Sequence, residues 1–224
     1  RRAAFDSRNL IVCEGYMDVI ALAQAGIAHA VAPLGTAITS EQLQMCWQLV
    51  DVPTLCLDGD NAGQRAMTRA MDLALPLLVP GKTLQIAVLP KGADPDSMIH
   101  EQGKPAFEET IANAQPLAAL LWNQTMQGSA ATPEARAAQE QGLMLKIGGI
   151  KNAAVQHYYK QYVRDRLREM QSAAYQKNRH SREGGNLHQT GMRHGQHKIP
   201  AFAGMTHITP PPLGRMNDTS LQTP

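Results

Sequence analysis

Short apolar runs separated by helical stretches set the pattern of the first hundred residues. Asn9-Leu10-Ile11-Val12-Cys13, Ala30-Val31-Ala32-Pro33-Leu34, Thr54-Leu55-Cys56-Leu57 and Leu84-Gln85-Ile86-Ala87-Val88-Leu89 are mostly apolar and rich in β-branched residues, as in strands buried on both faces. Between them, Asp18 to Ala25 carries apolar residues at helical spacing. Thr39 is placed to cap a helix over Ser40 to Val50, and Asn61 to Leu78 predicts a longer helix ended by Pro80-Gly81. Strand alternating with helix implies crossover connections and therefore a parallel sheet. Ligands of such sheets bind beyond the carboxyl ends of the strands.

Acidic residues stand at those ends. Glu14 follows the first run, Asp58 and Asp60 the third, and Asp94 and Asp96 lie in the loop after the fourth, so all are expected on one edge. Carboxylates gathered there repel one another and are driven toward protonation unless a cation compensates. Mg²⁺ suits such a site, because it takes oxygen ligands and is commonly held by one or two carboxylates together with substrate phosphates. In Asp58-Gly59-Asp60 the strand alternation sends the two acidic side chains in similar directions, and Gly59 is expected to leave room for a phosphate or second ion. The helix from Asn61 offers free amides that favour an anion. Taken alone, an Asp-Gly-Asp is more often a simple turn. A calcium loop is excluded, since Ala62 stands where an oxygen ligand is required and Arg69 where the bidentate Glu belongs. The joint occurrence of three acidic segments at equivalent strand ends is what favours a metal.

Glu14-Gly15-Tyr16-Met17-Asp18-Val19, Pro33-Leu34-Gly35-Thr36-Ala37, Asp58-Gly59-Asp60 with Ala62-Gly63 and Arg65-Ala66, and Lys91-Gly92-Ala93-Asp94-Pro95-Asp96-Ser97 closely resemble, in order and spacing, the Toprim core of bacterial replicative DNA primases of the DnaG type. Other Toprim enzymes, such as topoisomerases and small nucleases, lack the tyrosine-methionine-aspartate and Asp-Pro-Asp-Ser elements. The resemblance covers residues 9–126 most strongly. It implies a catalytic, metal-binding triad of Glu14, Asp58 and Asp60, with Asp18, Asp94 and Asp96 completing an acidic ring for Mg²⁺ or Mn²⁺. It also implies nucleotidyl transfer that joins ribonucleoside triphosphates into an RNA primer on a single-stranded DNA template. Ligation is the firmer expectation for Glu14, because a carboxylate beside Mg²⁺ is a weak base. Gly35, Thr36, Arg65 and Lys91 are expected contacts to nucleotide or nucleic acid. The competing readings are a cap for the Gly-Thr turn and a solvated helix face for Arg65 and Arg69. Tyr16 reads most simply as a packing residue.

Composition narrows the picture. The chain has 224 residues, 43% of them hydrophobic, enough for one domain with a real core plus appendages. No secretory or membrane-spanning segment is evident. The three cysteines, Cys13, Cys46 and Cys56, sit singly in apolar surroundings, which reads as reduced core residues of a cytoplasmic protein rather than a zinc site. Lys+Arg number 21 against Asp+Glu 19; residues 1–175 hold 15 against 17 and the remainder 6 against 2. The expected folded part is thus slightly acidic, whereas a polymerase needs a basic track for its template. By resemblance that track belongs largely to a subdomain preceding the Toprim fold, and a zinc ribbon and a helicase-binding domain complete the family's arrangement. None of these is recognised here. The expectation is a chain truncated at both ends, with the replicative helicase a partner by family only and no membrane association.

Beyond residue 100 the pattern turns helical. Lys104 to Ala114, Pro116 to Met126 and Pro133 to about Ile147 predict successive helices, and Gly148-Gly149 breaks the chain. From Asn152 to Met170, apolar residues recur at helical spacing and leave Lys160, Arg164, Arg166 and Arg168 largely on the other face. Past Ala174 periodicity stops. Ser181 to Asn186 and Ile199 to Thr206 look like translated bacterial repeat DNA, as if a disrupted reading frame ran on. The expected organisation is an α/β Toprim-like parallel sheet flanked by helices over 1–100, a small α-helical subdomain over 101–174, and a disordered tail over 175–224. Its expected function is that of a primase catalytic core. The alternative is an inactive remnant that keeps metal and nucleotide sites.

Overall fold

The computed structural model describes residues 2–33, 37–128 and 130–184. Its centre is a five-stranded sheet in the order β2-β1-β3-β4-β5, formed by β1 (Ile11–Val12), β2 (Ala30–Val31), β3 (Thr54–Leu57), β4 (Gln85–Val88) and β5 (Gln115–Pro116). The first four are parallel, with Ile11 beside both Ala30 and Thr54, and Thr54 beside Gln85. Every residue of β3 is buried, as the uniformly apolar run predicts for a central strand.

Side chains alternate between two cores. Leu10, Val12, Leu55, Leu57 and Ile86 face one layer, where α3 (Ser40–Leu49), α4 (Asn61–Ala74), α6 (Leu117–Thr125), α7 (Pro133–Gly148) and α8 (Ala153–Gly184) contribute Leu43, Met71, Leu121, Ile147 and Val163. Ile11, Cys13 and Cys56 face the other, closed by Leu22 of α2 (Tyr16–Gln24) and Phe107 of α5 (Pro95–Ala112). Residues 1–177 form one compact unit, so the later helices share the sheet's core. A short α1 (Arg2–Ser7) places Ala4 in the first layer.

The predicted strands and helices recur with local differences. Thr39 caps α3 as expected, its Oγ1 accepting from the Gln42 amide while the Thr39 amide donates to Oε1 of Gln42. Leu75–Leu77 tightens into a 3₁₀ turn, so α4 ends before Leu78. β5 lies where a helix is expected to begin. Pro116 pairs antiparallel with Gln85, and Leu117 donates to the Leu84 carbonyl, so the edge of β4 captures the segment before α6 starts. α8 continues past Ala174 to Gly184, because its proline-free stretch can propagate local hydrogen bonds without an apolar face. The rest of the expected tail lies outside the described residues.

Candidate functional site

The expected acidic segments lie beyond the carboxyl ends of β1, β3 and β4. Cys13 leads directly from β1 to Glu14, whose Oε1 accepts from the Asp58 amide at 3.4 Å, linking the two strand ends. Asp18, in the first turn of α2, is only 8% exposed and accepts from the Gly15 amide at 2.9 Å. Burial pushes its carboxyl up, and Asp94 and Asp96 add repulsion, while hydrogen bonds from the backbone of Gly15 and Asp96 act in the opposite direction.

Asp58 carries the greatest tension. Burial and the neighbouring Glu14, Asp18, Asp94 and Asp60 push its carboxyl up to about 6. Its Oδ1 is buried with no hydrogen-bond partner. A hard cation would fit that orphaned oxygen and the surrounding negative charge. Asp60 is occupied differently: as N-cap of α4 its Oδ1 accepts from the amides of Ala62 at 2.7 Å and Gly63 at 2.8 Å. Asp94 is the N-cap of α5, accepting from the Ser97 amide at 2.7 Å, and that bond holds its carboxyl below the usual range. The Asp-Pro-Asp-Ser segment, read as a loop, is therefore a helix start, with Pro95 in the first turn and Gly103 (φ 80°) kinking α5 ahead of Lys104. Asp96 lies 3.4 Å from Nε2 of His100, one turn on. With Asp60 and Asp94 drawn to amides, no group of three or more His, Cys, Asp or Glu side chains among the described residues closes into a ready metal cage.

Two glycines bring these segments together. A Cβ on Gly59 would lie 1.8 Å from the Pro90 carbonyl oxygen, and one on Gly63 would lie 2.1 Å from that of Asp58. Gly59 donates to Ala93 and its carbonyl accepts from Gly92, lacing the β3 turn to the β4 turn. The room expected at Gly59 for a phosphate or second ion is thus filled by the protein's own backbone. Of the expected contacts, Arg65 and Lys91 are exposed, and Gly35 and Thr36 lie outside the described residues. Tyr16 differs from expectation: it is 63% exposed at the start of α2 and does not pack. Arg69, assigned to a solvated face, is exposed and also lines a cavity with Glu14. The signal for it was its place one turn after Arg65 and beside Ala66 and Ala70. No described helix is long and apolar enough to cross a membrane.

The strand order and the acidic strand ends coincide with the match of residues 8–88 to the Toprim domain, which defines the class of this protein. The DNA primase of Escherichia coli K12 is 39% identical over 163 residues, covering 72% of this chain and 28% of that protein. A solved DNA primase domain from Pseudomonas aeruginosa superposes with a TM-score of 0.67 at 38% identity, covering 73% of this chain and 52% of that one. A DnaG primase catalytic domain solved bound to single-stranded DNA gives a TM-score of 0.66 at 38% identity, with 73% and 54% covered. The chain belongs to the bacterial DnaG-type DNA primases and corresponds to part of their catalytic core. It spans 28% of the length of the curated Escherichia coli relative.

Proposed function

We propose that this chain supplies the metal-dependent nucleotidyl-transfer centre of a primase, joining ribonucleoside triphosphates into RNA primers on single-stranded DNA. The observation that carries the reading is the buried, partnerless Oδ1 of Asp58 among four other carboxylates at the carboxyl edge of the sheet. Glu14, Asp58 and Asp60 would hold Mg²⁺ or Mn²⁺, with Asp18, Asp94 and Asp96 shaping the negative field. A divalent ion bound there would neutralise charge developing on the phosphates during in-line transfer. The protein's own part is placement. The turn through Gly59 fixes Asp58 against Glu14, and the α4 amides of Ala62 and Gly63 hold the Asp60 carboxylate in place beside them. Lys91 and Arg65, both exposed near this edge, are candidates to steer phosphate. Template, primer and helicase are partners by family, and the bacterial cytoplasm is the expected location.

Calorimetric titration of Mn²⁺ with and without a ribonucleoside triphosphate tests the centre. Binding is expected to be weak alone and stronger with nucleotide, because triphosphate oxygens complete the coordination shell. Asp58→Asn and Asp60→Asn should each weaken it about tenfold or more. Unchanged binding in both variants would refute the assignment. Primer synthesis on single-stranded DNA, abolished by Asp58→Asn, is the corresponding activity test.

A further inference from the structure

Among the described residues a cavity of about 260 Å³ opens beside Glu14, walled by Leu55 and Leu57 of β3, by Ala66 and Ala70 of α4 and by Ile38 ahead of α3. Its charged lining residues are Glu14 and Arg69. Arg69 has no ion-pair partner among the described residues. We propose that this cavity is a subsite for the nucleobase of the incoming ribonucleotide, with Arg69 covering the plane of the ring. The proposal rests on the nucleotide-binding reading above and adds to it the place of the base.

Three features favour a planar heterocycle. The walls are mostly apolar, and the α4 side is lined by Ala66 and Ala70, whose side chains are the smallest a helix wall can offer short of glycine. A guanidinium is flat, weakly hydrated and stacks on π-systems, so it serves a base better than it serves an aliphatic ligand. The separation also fits. Asp60 caps α4 and Arg69 lies nine residues on, about 13 Å along the axis at 1.5 Å per residue. That span matches an extended ribonucleoside triphosphate with its phosphates at the acidic end. The volume lies below that of pockets enclosing whole drug-sized ligands, which suits a ring rather than a complete nucleotide.

The test compares probes with and without a base on the full chain. Arg69→Ala, and separately Ala66→Leu to fill the cavity, should weaken Mn²⁺-ATP binding about tenfold. Both should leave Mn²⁺-tripolyphosphate binding unchanged. Equal weakening of the two probes would place Arg69 on phosphate and overturn the proposal, as would unchanged Mn²⁺-ATP binding in both variants. Failure of the wild type to bind either metal complex would count against the metal centre. The cavity is read separately by titrating adenosine without metal or phosphate. Adenosine at millimolar concentration should shift the methyl resonances of Leu55, Leu57 and Ile38, and Ala66→Leu should suppress the shifts. Absence of those shifts in the wild type would sink the base subsite. Their displacement by oligodeoxythymidylate but not by Mn²⁺-ATP would assign the cavity to a nucleic-acid base and overturn the assignment to the incoming nucleotide.

Discussion

The packed layer on one face of the sheet and the carboxyl edge of its strands are built on opposite principles. Around Leu84, Leu117, Leu121, Leu143 and Ile147 the layer beside the sheet is fully buried and apolar, and helices from distant parts of the chain meet there. At the carboxyl edge, carboxylates from β1, α2, β3 and the start of α5 crowd together, one with a partnerless buried oxygen. The first arrangement stabilises the fold. The second opposes it, and is maintained because the packed region and the Gly59 lacing leave the strand ends nowhere else to go. A cluster of crowded carboxylates is therefore expected to be a place where mutation can raise stability.

The largest effect should come from the packed side. Leu143→Ala removes a fully buried side chain far in sequence from the sheet, and is expected to cost about 2–5 kcal/mol of stability. Urea denaturation followed by circular dichroism measures it. A cost below about 1 kcal/mol would show that α7 contributes little to the shared core.

Gly59→Ala tests the lacing between the two regions. Its new methyl would collide with the Pro90 backbone, so the β3 and β4 turns must separate, at about 1–3 kcal/mol. Backbone amide shifts at Ala93 and Gly92 should move with it. If the variant is as stable as the wild type and those shifts hold, the close approach is not a constraint.

Asp58→Asn should act in the reverse direction. With the folded carboxyl raised to about 6, folding takes up protons as pH falls from that value toward the ordinary 3.8, so the charged form penalises the native state mainly above pH 6. In chelator at pH 8 the variant should gain about 1 kcal/mol, discounted because the group is partly open to solvent. At pH 4 the gain should largely vanish. Thermal melts at both pH values decide this, and a destabilised variant at pH 8 would mean that the carboxylate is better satisfied than its geometry indicates.

The fold and the acidic centre were legible to different depths. β1, β3, β4 and the Thr39 cap follow from local pattern, because a buried strand and a capping box are written in contiguous residues. β5 was not legible: Gln115-Pro116 becomes a strand only because the edge of β4 lies alongside it. Asp94 gave the helix-start signal in full, with Pro95 next and Ser97 three residues on, although the segment reads as a loop when only its acidic residues are followed. Tyr16 was misjudged because exposure depends on what lies opposite the start of α2, which no local pattern contains.

By itself, the order of apolar runs determined the parallel sheet and the edge where the acidic residues gather, and the motifs resembling DnaG-type primases pointed to the family. Those features depend on residue type and spacing along the chain. Only the tertiary structure decided which carboxylate is left unsatisfied, that Gly59 is filled by its own backbone, and that Arg69 shares a cavity with Glu14. Each of these depends on segments far apart in sequence meeting at van der Waals distance, and small changes in approach between strands and helices decide such contacts.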